Sequence, residues 1–135
     1  MEMTSQQVQS LVAQALAQAQ SEFKRPICVA ICDQFGFLLA FARIPGATIR
    51  SVAIAQGKAY TAARMCTGTD AFMERLQREN LPASAFCDPL LTGLPGGAVL
   101  KDSTGAIIGG AGVSGLAPTE DQAIANAMAA ACLKA

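Results

Sequence analysis

A chain of 135 residues has the usual size of one domain and can bury a continuous core without disulfide or metal staples. Hydrophobic residues make up 52% and charged residues only 15%, so little polar surface is available to cover the apolar content, and a homo-oligomer that buries surface between subunits is expected. Lysine plus arginine balances aspartate plus glutamate at 10 each, with no run of like charge, which argues against nucleic acid or an anionic membrane as a partner.

Met1-Glu2-Met3-Thr4 lacks a basic stretch followed by an apolar one, and no run approaches about 18 uninterrupted apolar residues, so a cytoplasmic protein is expected. The five cysteines, Cys28, Cys32, Cys66, Cys87 and Cys132, show no C-x-x-C spacing and sit mostly in apolar runs, as reduced and buried thiols do.

Thr4-Ser5-Gln6-Gln7 reads as a capping box, and Val8, Leu11, Val12, Ala15, Leu16 and Ala19 follow at helical spacing, predicting a helix to about residue 21. After Pro26, the unbroken apolar run 27–32 predicts a strand covered on both faces. Asp33-Gln34-Phe35-Gly36 turns the chain, with Gly36 in a left-handed conformation, and 37–43 supplies the return strand. Beyond Ile44-Pro45-Gly46-Ala47, Ser51 is placed to cap a helix to about residue 65, whose small face (Ala55, Ala59, Ala62, Ala63) permits close packing on a sheet. Gly68 ends that helix, Thr69 caps a third through Asn80, and Pro82 prevents continuation. Residues 83–97 read mainly as loop. Residues 98–101, a turn at 102–105 and residues 106–114 form a second hairpin, expected at the sheet centre, and Thr119-Glu120-Asp121-Gln122 is a further capping box opening the last helix. The order helix, hairpin, two helices, hairpin, helix needs no parallel βαβ unit. It predicts one α/β (α+β) domain over 1–135 with a largely antiparallel sheet, in two or three layers.

The chain contains no histidine, which removes the usual general base and the commonest zinc and haem-iron ligand. No close cluster of Cys, Asp and Glu supplies a metal site. Gly110-Ala111-Gly112-Val113-Ser114-Gly115 has the letters of G-x-G-x-x-G, but only about twenty residues remain after it, too few for the second strand and acidic residue of a dinucleotide site. These glycines are read as permitting close approach to the strand. Ser114 ends the strand without a nucleophile elbow or a base beside it. Pro95-Gly96-Gly97 either turns its amides toward an anion or merely starts a strand. Lys58, inside the alanine-rich helix, and Arg43, at a strand end, are candidate anion partners or solvated surface cations. Glu120 and Asp121 complement the dipole of the last helix and are given no catalytic role.

Asp33-x-x-Gly36-x-Leu38 with Arg43 and Gly46-Ala47, Ala55-x-x-Lys58-Ala59-x-Thr61-Ala62, Pro95-Gly96-Gly97, and residues 108–115 followed by Glu120-Asp121 together resemble the GlcG/HbpS family. The same fold module forms the C-terminal part of PduO-type corrinoid adenosyltransferases. The resemblance covers almost the whole chain and implies a profilin-like or PAS-like antiparallel sheet flanked by helices, assembled as a homo-oligomer. It also implies an accessory role, since relatives accompany glycolate, diol or glycerol catabolism and some bind haem. Haem-binding relatives are associated with histidine ligation, from which this chain departs; the cofactor stays open, and haem, if bound, is held by another group. The retained Lys58 and Gly96-Gly97 positions imply a small-molecule pocket, with Arg43, Lys58, Gly96, Gly97 and Ser114 as its ligand-binding residues. Two main readings follow. One is a non-catalytic binding protein. The other is a histidine-free enzyme acting on a small carboxylated or carbonyl metabolite, with Lys58 as acid, base or electrophile, Arg43 holding a carboxylate and the Gly96 and Gly97 amides stabilising an oxyanion. A scaffold serving assembly alone is the third.

Overall fold

The computed structural model describes residues 2–134. The chain order is α1 (Ser5–Gln18), β1 (Cys28–Asp33), β2 (Leu38–Arg43), α2 (Arg50–Met65), α3 (Thr69–Glu79), β3 (Gly97–Lys101), β4 (Ile107–Ser114) and α4 (Pro118–Lys134). The four strands form one antiparallel sheet in the order β2-β1-β4-β3. The antiparallel sheet flanked by helices is the architecture expected from the sequence.

Alternation along the strands sends apolar side chains to both faces. On one face Val29, Ile31, Leu100, Ala111 and Val113 pack against Val8, Leu11 and Ala15 of α1 and Ile124, Ala125 and Met128 of α4. On the other, Cys28, Ala30 and Cys32 meet Ala55, Ala59 and Ala63 of α2. The second interface is unusually close because it is built from small residues. A Cβ at Gly112 would overlap the Ala55 carbonyl oxygen, and one at Gly110 the Ala59 carbonyl oxygen, so the α2 backbone lies directly on β4. This is the duty of the glycine run: it seats a helix.

The Thr4 capping box forms in full, and α1 runs on through a π-helical turn, Ala19–Phe23. Gly36 has φ +94 in the first hairpin, the left-handed conformation anticipated there. Elsewhere the local reading needs correction. The second hairpin is only half central: β4 lies between two neighbours, whereas β3 is an edge strand ending in exposed Lys101. Residues 83–97 are mainly loop, as expected, with one 3-10 turn, Ala83–Phe86.

None of the three later caps acts as foreseen, because each side chain is drawn into tertiary contact or displaced by an earlier helix start. Helix α2 begins at Arg50, and Ser51 shares its hydroxyl with Thr48 at 2.7 Å. Thr69 is the first residue of α3, behind Gly68, and its hydroxyl accepts the Gly97 N–H at 2.7 Å. Helix α4 begins at Pro118; Glu120, not Thr119, reaches back to the Ala117 N–H at 3.0 Å.

Candidate functional site

Lys58 and Tyr60 are two positions apart on α2, about 200° around a helix of ~3.6 residues per turn, so they address opposite sides. They anchor two different environments.

On the sheet side the small residues Ala55, Ala59 and Ala62 let α2 approach until Lys58 is only 3% exposed. Its Nζ donates to the Val113 carbonyl oxygen at 2.8 Å and to Asp121 Oδ2 at 3.1 Å. The other carboxylate oxygen of Asp121 accepts the Leu116 N–H at 3.1 Å. Burial pulls the Lys58 ammonium below its ordinary pKa and pushes Asp121 above its own, and the attraction between the two charges opposes both shifts. Next to this pair, Gln122 accepts the Gly96 N–H at 2.6 Å and donates to the Gly97 carbonyl at 2.9 Å. Both amides that were candidates for an anion nest are thus taken, Gly96 by Gln122 and Gly97 by Thr69. No buried side-chain N or O atom lacks a partner among the described residues.

The structure therefore brings Lys58, Gly96 and Gly97 together, a Cβ on Gly96 falling 2.6 Å from Lys58 Nζ. Ser114, next in β4 to Val113, is buried and donates to Ser51 Oγ at 3.3 Å. Arg43 lies apart: it shares a sheet row with Cys28 and Ser114, is exposed, and makes no ion pair among the described residues. Sequence reasoning missed Asp121, Gln122 and Thr69. All three stand in the first turn of a helix, where a polar residue ordinarily serves its own helix, and only tertiary contact reveals the other use.

On the outward side Ala53, Gln56, Gly57 and Tyr60 form a helical stripe along a groove of about 560 Å³, closed by Leu38 of β2 and by Leu90, Leu91 and Thr92 of the following loop. Thr61 pins that loop to α2, accepting the Thr92 N–H at 2.9 Å and donating to the Gly57 carbonyl at 2.7 Å. Two of its leucines stand open to solvent, Leu38 at 52% and Leu90 at 60% exposed. At its end the Tyr60 hydroxyl donates to Asp88 Oδ2 at 2.8 Å, which raises the phenol pKa, and the Arg64 guanidinium lies 4.9 Å from the ring centre. Arg64 is itself fixed by its Nε–H bond to the Phe35 carbonyl at 2.8 Å. Cys32 also borders the groove, but its thiol donates to the Ala59 carbonyl and burial pushes its pKa up to about 12.

Among the described residues no group of three or more His, Cys, Asp and Glu side chains could hold a metal ion. No helix among them is long and apolar enough to cross a membrane. All five cysteines are free; Cys28, Cys32 and Cys132 are buried as expected, whereas Cys66 and Cys87 are exposed.

A family model described as "Haem degrading protein HbpS-like" matches residues 3–130. The chain belongs to the HbpS-like family. Among solved structures, this HbpS-like chain is similar to PduOC in its complex with haem, at 27% identity over 97% of this chain and 95% of that one, with a TM-score of 0.86. It is equally similar to a double mutant of HbpS from Streptomyces reticuli, at 27% identity over 97% and 87% of the two chains and a TM-score of 0.86. The Klebsiella pneumoniae protein ORFY, 22% identical over 100% of this chain and 93% of its own with a TM-score of 0.86, shares the fold. No curated protein matches the chain.

Proposed function

We propose that this chain is a small-molecule-binding accessory protein of a catabolic pathway, and that it takes a flat apolar ligand, haem first among the candidates, in the groove between α2, β2 and the loop at 89–92. The observation that carries the reading is the groove itself: apolar walls, exposed leucines and a few polar side chains, Gln56, Tyr60 and Thr92, in a volume within the ~300–1,000 Å³ typical of ligand sites. A haem complex of a relative that is 27% identical supports the choice of ligand class.

The residues present fit such a group in shape and polarity. Leu38, Val52, Ile54 and Leu90 would hold the macrocycle, and Arg64, beside the ring of the groove residue Tyr60, has N–H donors beyond its bond to Phe35 for a carboxylate. Haem, when bound, would supply an iron centre, and in a chain without histidine a side chain that held the iron would be of another type.

The residues first singled out have a supporting place in this reading. Lys58, Gly96, Gly97 and Ser114 brace α2 on the sheet and so hold the groove wall, while Arg43 is a free cation at the far end of β2. An enzymatic reading would have to run through the Lys58–Asp121 pair, which is enclosed and already bonded to Val113 and Leu116. Binding is the reading that needs no rearrangement. A cytoplasmic location accords with the five free thiols. Self-association accords with the exposed Phe37, Leu38 and Leu39 at the β2 edge of the sheet, and light scattering at micromolar concentration should give an oligomer mass.

Haemin titrated into tag-free protein should show saturable binding, with an absorption shift unlike that of a histidine-ligated haem. Failure of haemin and of other flat apolar dyes to bind would end this reading.

A further inference from the structure

The groove contains a group suited to meet iron, and the geometry points to one residue. Resting on the reading above, we infer that Tyr60 is the axial ligand of haem in this chain, bound through its phenolate oxygen, with Asp88 as its proton acceptor and positioning partner.

Side chains that ligate haem iron include histidine, cysteine, methionine, tyrosine and, through its amine, lysine. The chain has no histidine, and neither methionine nor lysine lines the groove. Of the two candidates left there, Cys32 is 2% exposed and its thiol points into the α2 interface, where it bonds the Ala59 carbonyl at 3.3 Å. To reach iron, Cys32 would have to leave the core. Tyr60, the single tyrosine of the chain, already stands in the groove wall.

Its ring is held on three sides. A Cβ on Gly36 would fall 2.7 Å from Tyr60 Cδ2, so the ring rests directly on the first hairpin turn. The Arg64 guanidinium sits 4.9 Å from the ring centre, tied to that same turn through the Phe35 carbonyl. Asp88 takes the hydroxyl at 2.8 Å and is itself ordered by accepting the Leu90 N–H at 3.1 Å, so the partner belongs to the loop that closes the groove. A fixed ring, an adjacent cation that favours the phenolate and a carboxylate that orients the hydroxyl and can take its proton would serve oxygen ligation, while in the unligated protein the same carboxylate holds the phenol protonated. Tyr60 would hold the iron through its phenolate oxygen, the water or halide already on the iron of haemin leaving and the phenol proton passing by way of the Asp88 carboxylate to solvent, with no change of oxidation state.

The test is haemin binding by tag-free wild-type protein and three variants, read by absorption and by resonance Raman modes of an iron-bound phenolate, with thermal melting as the folding control. The wild type should show those modes. Tyr60→Phe, which keeps the ring, should lose them and bind at least about tenfold more weakly, Asp88→Asn should keep them with affinity lowered about tenfold, and Cys32→Ser should change neither. Saturable haemin binding with an unaltered spectrum in Tyr60→Phe would overturn the ligand assignment and leave the groove reading standing. Loss of the haem spectrum in Cys32→Ser would overturn it in favour of a thiolate. No haemin binding by the wild type would overturn both.

Discussion

Helix α2 carries a closed region on one side and an open one on the other. Against the sheet, Lys58, Asp121, Gln122, Thr69 and the glycines at 96 and 97 satisfy one another completely, and none needs a ligand to complete its bonding. Facing outward, Tyr60, Leu38 and Leu90 line a groove in which the two leucines stay more than half exposed. Charged and glycine-rich segments draw the eye in a sequence, yet here they hold the fold together. The side that can gain from a ligand is made of leucines, one tyrosine and a loop.

That contrast is sharpest in stability. Lys58→Met leaves Asp121 buried without its cation, and removal of one partner of such a pair costs about 3–5 kcal/mol, seen as a large fall in the urea midpoint. The double change Lys58→Met with Asp121→Leu should recover much of that loss, because neither charge then stays buried alone. A single variant as stable as the wild type would show that the pair does not brace α2.

Gly36 joins the two regions, since its positive φ closes the hairpin on which Tyr60 rests. Gly36→Val should lower stability by about 1 kcal/mol or more and also weaken ligand binding by displacing the ring. An unchanged melting temperature would contradict the conformational part of this claim, and unchanged binding the part that concerns Tyr60.

The smallest expected effect lies at the surface of the closed side. Glu120 is held below the ordinary glutamate pKa by the Ala117 N–H and by Arg25. A carboxylate whose folded pKa is depressed adds stability above its unfolded value and loses it as pH falls through the folded one. Glu120→Gln should therefore be slightly less stable than wild type at neutral pH, and the difference should close below pH 4.5. A gap that widened on acidification would reverse the sign.

Much of the fold was legible because it rests on local pattern. Thr4 with Gln7, the apolar run of β1, Gly36 in its turn and the alanine face of α2 all act within a few residues of themselves. Ser51, Thr69 and Asp121 were misread for the opposite reason. Each is a residue type that ordinarily serves its own helix end, and each is diverted to a partner 28 to 63 residues away. The central place given to the whole second hairpin failed because β4 pairs with both β1 and β3 and leaves β3 at the edge, and no local spacing encodes such long-range pairing. The groove had no signal at all: Leu38, Tyr60 and Leu90 come from a strand, a helix and a loop, and no common period unites them.

The proposed site of ligand binding is the outward groove of α2. Its most direct test is the affinity of tag-free protein for haemin, compared between wild type and Leu90→Glu, whose exposed position should keep stability within about 0.5 kcal/mol of wild type. The variant should melt like wild type and lose saturable binding. Wild-type affinity in Leu90→Glu would place the ligand elsewhere on the molecule and contradict this site.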